Sequence, residues 1–234
     1  MYRSAVLACA AALAVAGPAC AAGEATLLVG DHDLRGVGLR VRADALSLEA
    51  QGLDRDGQRY RAVAAGLSAG SWDFGLQHRE ERGRGDAFKA DFASVAYRAA
   101  LSPDLRLTAR AWTGAGGGAG LATRWAPAPN WTVELAADRA FGHRPARWRA
   151  RAAAQYDLDM WEGGHVLLRA EAEHLSGDHE LLGLRAIWIT LEEAWRTEVF
   201  AANLADDAPP VGAVVDGPPP PPGRTFGLAV TRSF

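Results

Sequence analysis

From Gly36 to the last residue the chain repeats with a period of two. Val37, Leu39 and Val41 alternate with Gly38, Arg40 and Arg42. Trp72, Phe74 and Leu76 alternate with Asp73, Gly75 and Gln77. Leu105, Leu107, Ala109 and Ala111 alternate with Arg106, Thr108 and Arg110, and the same beat continues through Trp131 to Ala137, Trp148 to Tyr156, Val166 to Ala172, Leu182 to Trp188 and Trp195 to Val199. A period of two belongs to a strand with one apolar and one polar face; an amphipathic helix would repeat every 3.6 residues. Turn-forming groups punctuate the pattern: Asp54-Arg55-Asp56-Gly57, Ser68 to Ser71, Ser102-Pro103-Asp104, Ala126 to Asn130 and Gly142 to Pro145. Counted back from the C-terminus, with the first strand starting near Val37, the pattern predicts an all-β chain of about twelve strands. Tyr60, Ala62 and Ala64 mark one of these strands. Two places break the beat. The phase slips near Leu46 and Leu48, and Phe88 and Phe92 take the opposite parity to Val95, Tyr97, Ala99 and Leu101, which suggests either a bulge or a wrong phase assignment there.

The N-terminus reads differently. Arg3 precedes an apolar stretch from Ala5 to Ala16, Gly17-Pro18 interrupts it, and Ala19-Cys20-Ala21 fits a small-x-small cleavage site. Residues 1–21 are therefore expected to be a signal peptide. Residues 22–35 are a lead-in on the periplasmic side or a short strand, and residues 36–234 form the domain. Both cysteines, Cys9 and Cys20, lie in the leader, so the exported part carries no disulfide. No second apolar run reaches the length of a membrane helix. The net charge of −3 gives no case for nucleic acid as a partner. Export with neither disulfide nor spanning helix leaves a periplasmic sandwich or a transmembrane barrel.

Two patterns favour the barrel. Aromatic residues cluster at three connections of one alternate set: Trp125 and Trp131 flank one, Trp188 and Trp195 another, and Tyr156 precedes a third. Amphipathic rings of this kind belong at a membrane interface. The longest polar or glycine-rich connections, 204–223, 114–120 and 80–86 among them, fall in the alternate set, as expected for extracellular loops. In lipid every backbone N–H and C=O must pair internally, so such a sheet must close.

The last eleven residues, RTFGLAVTRSF, carry Phe226, Leu228, Val230 and Phe234 on one parity and end on an aromatic residue. This ending resembles the terminal strand of bacterial outer-membrane β-barrels, where a C-terminal Phe with alternating apolar residues is read by the barrel-assembly machinery. The resemblance implies a transmembrane antiparallel up-and-down β-barrel in the outer membrane. Its partners would be outer-membrane lipid and that machinery. Arg232 departs from the pattern, since this position is usually apolar or aromatic.

The polar parity supplies the candidate site. Arg106, Arg110, Arg124, Arg147, Arg149, Arg151, Arg169 and Arg185 would line the lumen, interleaved with Glu134, Asp138, Glu171, Glu173 and Glu198. Rows of Arg can guide carboxylate or phosphate groups, so a narrow channel for small or anionic solutes is one expectation. Arg–Glu pairing could instead close the lumen. That would suit a structural or accessory barrel, a partner in envelope assembly or exopolysaccharide export, with the proline run Pro218 to Pro222 as a stiff arm. A third alternative is a lipid hydrolase. His174-Leu175-Ser176 has the spacing that places a base and a nucleophile on one strand face, similar to outer-membrane phospholipases and lipid A deacylases. Gly177 stands where those proteins commonly have Asn, and only Asp178 and Glu180 are near enough to serve as an acidic partner. The pattern favours a non-enzyme, and no cofactor is implied. His174, Asp178 and His179 straddle a turn and make a poor metal set. The glycine-rich run Gly114 to Gly120 lacks the Lys-Ser/Thr ending of a phosphate loop.

Overall fold

The two-residue period closes on itself. A computed structural model describes residues 21–83, 87–114, 116–141, 147–160, 164–190, 194–207, 209 and 223–234. The leader up to Cys20 and the proline run 218–222 lie outside the described residues.

Fourteen strands follow in order: β1 (Ala21–Gly30), β2 (Arg35–Ala43), β3 (Leu46–Arg55), β4 (Gln58–Ala69), β5 (Trp72–Arg82), β6 (Ala87–Ala100), β7 (Leu105–Gly114), β8 (Gly117–Ala128), β9 (Trp131–Phe141), β10 (Trp148–Met160), β11 (Gly164–Leu175), β12 (His179–Thr190), β13 (Trp195–Ala202) and β14 (Thr225–Ser233). Each pairs antiparallel with its sequence neighbours, and β1 pairs with β14 to close the barrel. Closure leaves no free sheet edge.

The expected count of about twelve is corrected to fourteen, for two local reasons. Residues 21–30 are a full strand, with Thr26 opposite Thr231 and Leu28 opposite Ala229. The phase slip near Leu46 is a hairpin: β2 turns at Asp44-Ala45 into β3, with Asp44 at a φ of 48°. That two-residue turn lacks the Gly or Pro that usually marks one. Asp56-Gly57, at φ of 38° and 79°, makes the next hairpin turn from the expected residue types.

Connections alternate between the two barrel ends. β2–β3, β4–β5, β6–β7, β8–β9, β10–β11 and β12–β13 are joined at the end that carries Ala21 and Phe234, the terminus end; β1–β2, β3–β4, β5–β6, β7–β8, β9–β10, β11–β12 and β13–β14 are joined at the other, the loop end. The expected two-set alternation holds, although the strands reach further into the connections than the sequence suggests. Gly117 onward, for example, belongs to β8 rather than to a long glycine loop. Among the described residues the register shifts in β8, between Trp125 and Ala128, where Pro127 interrupts the ladder. β6 has no bulge: its register with β5 is continuous from Trp72–Tyr97 to Arg82–Ala87.

Outward parity is apolar through the middle of the wall. Leu27, Val37, Leu48, Leu76, Leu121, Leu135, Leu184, Val199 and Leu228 all point out and stay exposed. At the terminus end a belt of aromatic rings covers the outside. Trp72 packs on Tyr97 and Trp131 on Tyr156, each with ring centres 4.9 Å apart, and Trp125, Trp188 and Trp195 continue the belt. Arg232, the departure in the terminal strand, lies over the Trp195 ring at 5.3 Å, a cation–π contact in the same belt. Tyr60, Ala62 and Ala64 face inward rather than outward: on β4 the outward residues are Arg59, Arg61, Val63, Ala65 and Leu67.

Candidate functional site

The interior is built from the polar parity of nearly every strand. Arg106, Arg110, Arg124, Arg149, Arg151, Arg169 and Arg185 all take it, with Glu134, Asp138, Glu171, Glu173 and Glu198. Arg147 does not: it precedes β10 at the loop end and is exposed.

The acids and bases meet along the wall. On β2 and β3, Arg40 reaches Glu49 at 2.7 Å and Glu24 of β1 at 3.8 Å. Arg149 pairs with Glu173 at 2.8 Å. The longest run crosses four strands: Glu134 to Arg169 at 2.7 Å, Arg169 to Glu171 at 3.4 Å, Glu171 to Arg185 at 2.8 Å, Arg185 to Glu198 at 2.8 Å and Glu198 to Arg196 at 2.9 Å. Each link fixes the next, so the guanidinium groups cannot fold across the lumen without leaving a carboxylate unpaired.

Small residues make room for these bridges. Arg110, Gly120 and Asp138 form one row across β7, β8 and β9. The Arg110 Nε donates to Asp138 Oδ1 at 2.9 Å, and its Nη2 donates to Oδ2. The fork passes over Gly120, where any Cβ would strike the Asp138 carboxylate. Ala153, in register with both Glu134 and Glu171, supplies a short side chain on β10 beneath the reach of Arg169. Gly183 lies beside Glu171, with room for a Cβ only 3.0 Å from the Glu171 Cγ and Oε1. Trp112 likewise covers Gly118, and Phe200 covers Gly227.

The two ends of the lumen differ. At the loop end the inward side chains are packed. Arg79 is fully buried, paired with Glu81 at 2.6 Å and held between the Tyr60 ring at 5.2 Å and the Phe88 ring at 5.9 Å. Ala90, Phe92 and Trp112 form a buried cluster against Phe88. Arg55, also buried, donates to the Arg224 carbonyl at 3.2 Å. The segment after β13 is tied to the wall as well: Asp207 accepts from the Glu180 amide at 2.8 Å and meets His179 at 2.9 Å. At the terminus end Ser94, Arg98, Arg106, Arg124 and Arg196 are exposed. Between the ends lies a cavity of about 550 Å³, bounded by Ser47, Gly66, Gly75 and Ser94 toward the terminus end and by Tyr60 and Trp112 toward the loop end. Arg106 and Arg124 stand directly opposite each other in register. Neither they nor Arg151 makes an ion pair among the described residues.

The His174 and Ser176 candidates are not brought together. His174 faces outward, stacked on Trp148 with ring centres 4.9 Å apart and 3.8 Å from Glu180. Ser176 lies in the turn after β11, and its Oγ accepts from the Arg147 amide at 2.6 Å. A serine oxygen held as acceptor by backbone amides, with no hydrogen bond to the histidine among the described residues, is a turn cap, without the base contact a nucleophile needs. Among the described residues no group of three His, Cys, Asp or Glu side chains is placed to hold a metal ion.

No family model matches this sequence, and no curated protein matches it. Solved structures do match in fold. A mutant form of the Rh. blastica porin superposes with a TM-score of 0.52 at 10% identity, over 92% of this chain and 98% of that one. A triple mutant described as Rhodopseudomonas blastica porin gives 0.51 at 10% identity over the same shares. At this identity the likeness is one of fold: a closed antiparallel barrel of porin type.

Proposed function

We propose that the chain is an outer-membrane barrel acting as a narrow channel for small anionic solutes, entered from the end that carries the termini. The membrane part of the proposal rests on the outward face. A soluble protein rarely exposes a continuous apolar belt, and rings placed at one edge of such a belt suit a lipid–water boundary. The leader 1–21 would export the chain. Phe226, Leu228 and Phe234, which point outward on and just after β14, would with Val230 present the signal to the assembly machinery.

The channel part rests on one observation: Arg40, Glu49 and Arg110 are held in ion pairs along the wall, and the cavity of about 550 Å³ that they line is not filled by them. Arg106 and Arg124 at the terminus end and Arg151 nearer the loop end then remain as cations without a bound carboxylate among the described residues, and such groups along a lumen favour anions. Among the neighbours in fold, one is described by the asymmetric conductivity of engineered proteins, with a TM-score of 0.50. Recording from the refolded barrel in planar bilayers tests the proposal. Discrete, small, anion-preferring steps are expected. Silence from protein shown to be folded and inserted would refute it.

One observation favours the accessory alternative, in envelope assembly or polysaccharide export. The Arg79, Tyr60, Phe88 and Trp112 packing narrows the loop end. A barrel shut there would be silent in the bilayer and would co-purify with a partner in mild detergent.

A further inference from the structure

On the outward face, the apolar belt ends toward the loop end in a group of arginines above a groove. Two registered rows define it. Val29, Arg35, Asp54 and Arg59 follow one another from β1 to β4. One step nearer the middle of the wall, Leu27, Val37, Gly52 and Arg61 do the same. Gly52 has no side chain, and a Cβ there would meet only Val37 Cγ2, at 3.7 Å. The missing side chain opens a recess of about 400 Å³ between Leu27, Val29 and Val37 on one side and Arg59 and Arg61 on the other.

Three arginines meet two carboxylates above the groove. Asp54 is 3.6 Å from Arg59, and the exposed Asp33 is 3.8 Å from Arg35. Arg61 makes no ion pair among the described residues, because Glu80, opposite it in register, is taken by Lys89 at 3.0 Å. A guanidinium at the edge of a hydrocarbon belt needs an anion, and its planar fork fits phosphate oxygens two at a time. A slot for an acyl chain with cations at its upper end has the shape of a phosphorylated lipid.

We infer that β1 to β4 hold a phosphate-bearing lipid on the outside of the barrel, its phosphate on Arg35, Arg59 and Arg61 and one acyl chain over Gly52. The inference rests on the membrane reading above, and insertion is therefore scored first. The barrel is refolded into phosphatidylcholine vesicles and its insertion is followed by heat-modifiable migration. Failure to insert counts against the membrane reading. Inserted protein is then extracted in mild detergent and titrated with phosphatidic acid or with phosphatidylcholine of the same acyl chains, and bound lipid is read by native mass spectrometry.

The wild-type barrel should keep phosphatidic acid in preference to phosphatidylcholine. Arg59→Ala with Arg61→Ala should lower retention by about tenfold, as loss of two charge-assisted contacts implies. Gly52→Leu, which fills the slot and leaves the arginines, should lower it as well. Equal retention of the two lipids, or no change in the double variant, overturns the inference. So does retention that survives Gly52→Leu, since the arginines would then take phosphate without the groove.

Discussion

Phe234 and Gly23 close the barrel. The Gly23 amide donates to the Phe234 carbonyl at 2.8 Å, and the Phe234 amide donates back to Gly23 at 2.9 Å. The terminal ring lies over the glycine, in the space any side chain at 23 would occupy. The last residue is thus the final rung of the β1–β14 ladder, and the second residue past the expected cleavage point is its partner. Deleting Phe234 removes both hydrogen bonds, each worth about 1 kcal/mol net, and in the proposed membrane setting lipid would offer no replacement. Urea unfolding of the inserted barrel should show a loss of about 2 kcal/mol. Gly23→Val should move in the same direction by displacing the ring.

Glu171 sits between two guanidinium groups, those of Arg169 and Arg185, which face each other in register. Glu171→Gln leaves two like charges adjacent with one fewer carboxylate. These side chains are partly hydrated, so the cost is expected at about 1–3 kcal/mol, below that of a fully buried break. Gly183→Ala crowds the same carboxylate and should cost about 1 kcal/mol. Because both act on one contact, the double variant should cost less than the sum, which denaturant titration of the three variants can read.

Ser176→Ala removes the acceptor for the Arg147 amide. A loss of about 1 kcal/mol in stability is expected, and no change in any lipid-hydrolase activity measured on the purified barrel. A fall in such activity with stability unchanged would return Ser176 to the role of nucleophile.

Most of the architecture is legible in the period of two, and its failures share a physical cause. Through the apolar belt the outward side chains are Leu, Val and Trp, and parity gives the face directly. Beyond the belt the rule inverts. β6 spans 14 residues, more than the roughly 9–11 a strand needs to cross a bilayer. At its loop end Lys89 and Asp91 point out while Phe88 and Phe92 point in, so the parity clash in the sequence is a change of surroundings along one regular strand. Tyr60 on β4 follows the same inversion. Alanine adds to the ambiguity, since Ala62 and Ala64 suit either face. The Arg rows of the interior are legible for the same reason that the belt is. Their pairing is not, because Arg110–Asp138 and Arg169–Glu134 skip a strand over Gly120 or Ala153, and strand-skipping contacts leave no trace in spacing. The signal that was available is the small residue itself, placed at a lumen position between two charged ones.

Arg79 is the keystone of the loop-end packing: its guanidinium holds Glu81 and lies between two rings. Arg79→Ala removes the group that fills this space, and Phe88→Ala removes one of its walls. If the channel reading holds, either change widens the narrow end, and single-channel conductance should rise by about twofold. A barrel with Arg79→Ala that stays at the wild-type conductance would place the limiting constriction elsewhere along the lumen.

Arg106 and Arg124 stand exposed at the terminus end, the proposed entrance. Among the described residues they oppose each other without an ion pair, because Glu134, opposite Arg124 in register, is committed to Arg169. In a KCl gradient an anion-preferring channel passes Cl⁻ toward the dilute side, and that side turns negative. Replacing both residues (Arg106→Glu with Arg124→Glu) exchanges two positive charges for two negative ones at the mouth and leaves the wall ladder intact. The dilute-side potential should move toward zero or become positive, and the shift should shrink in concentrated salt as screening shortens to a few ångströms. An unchanged reversal potential, in protein whose folding is unaltered, would mean that solutes do not pass these two side chains.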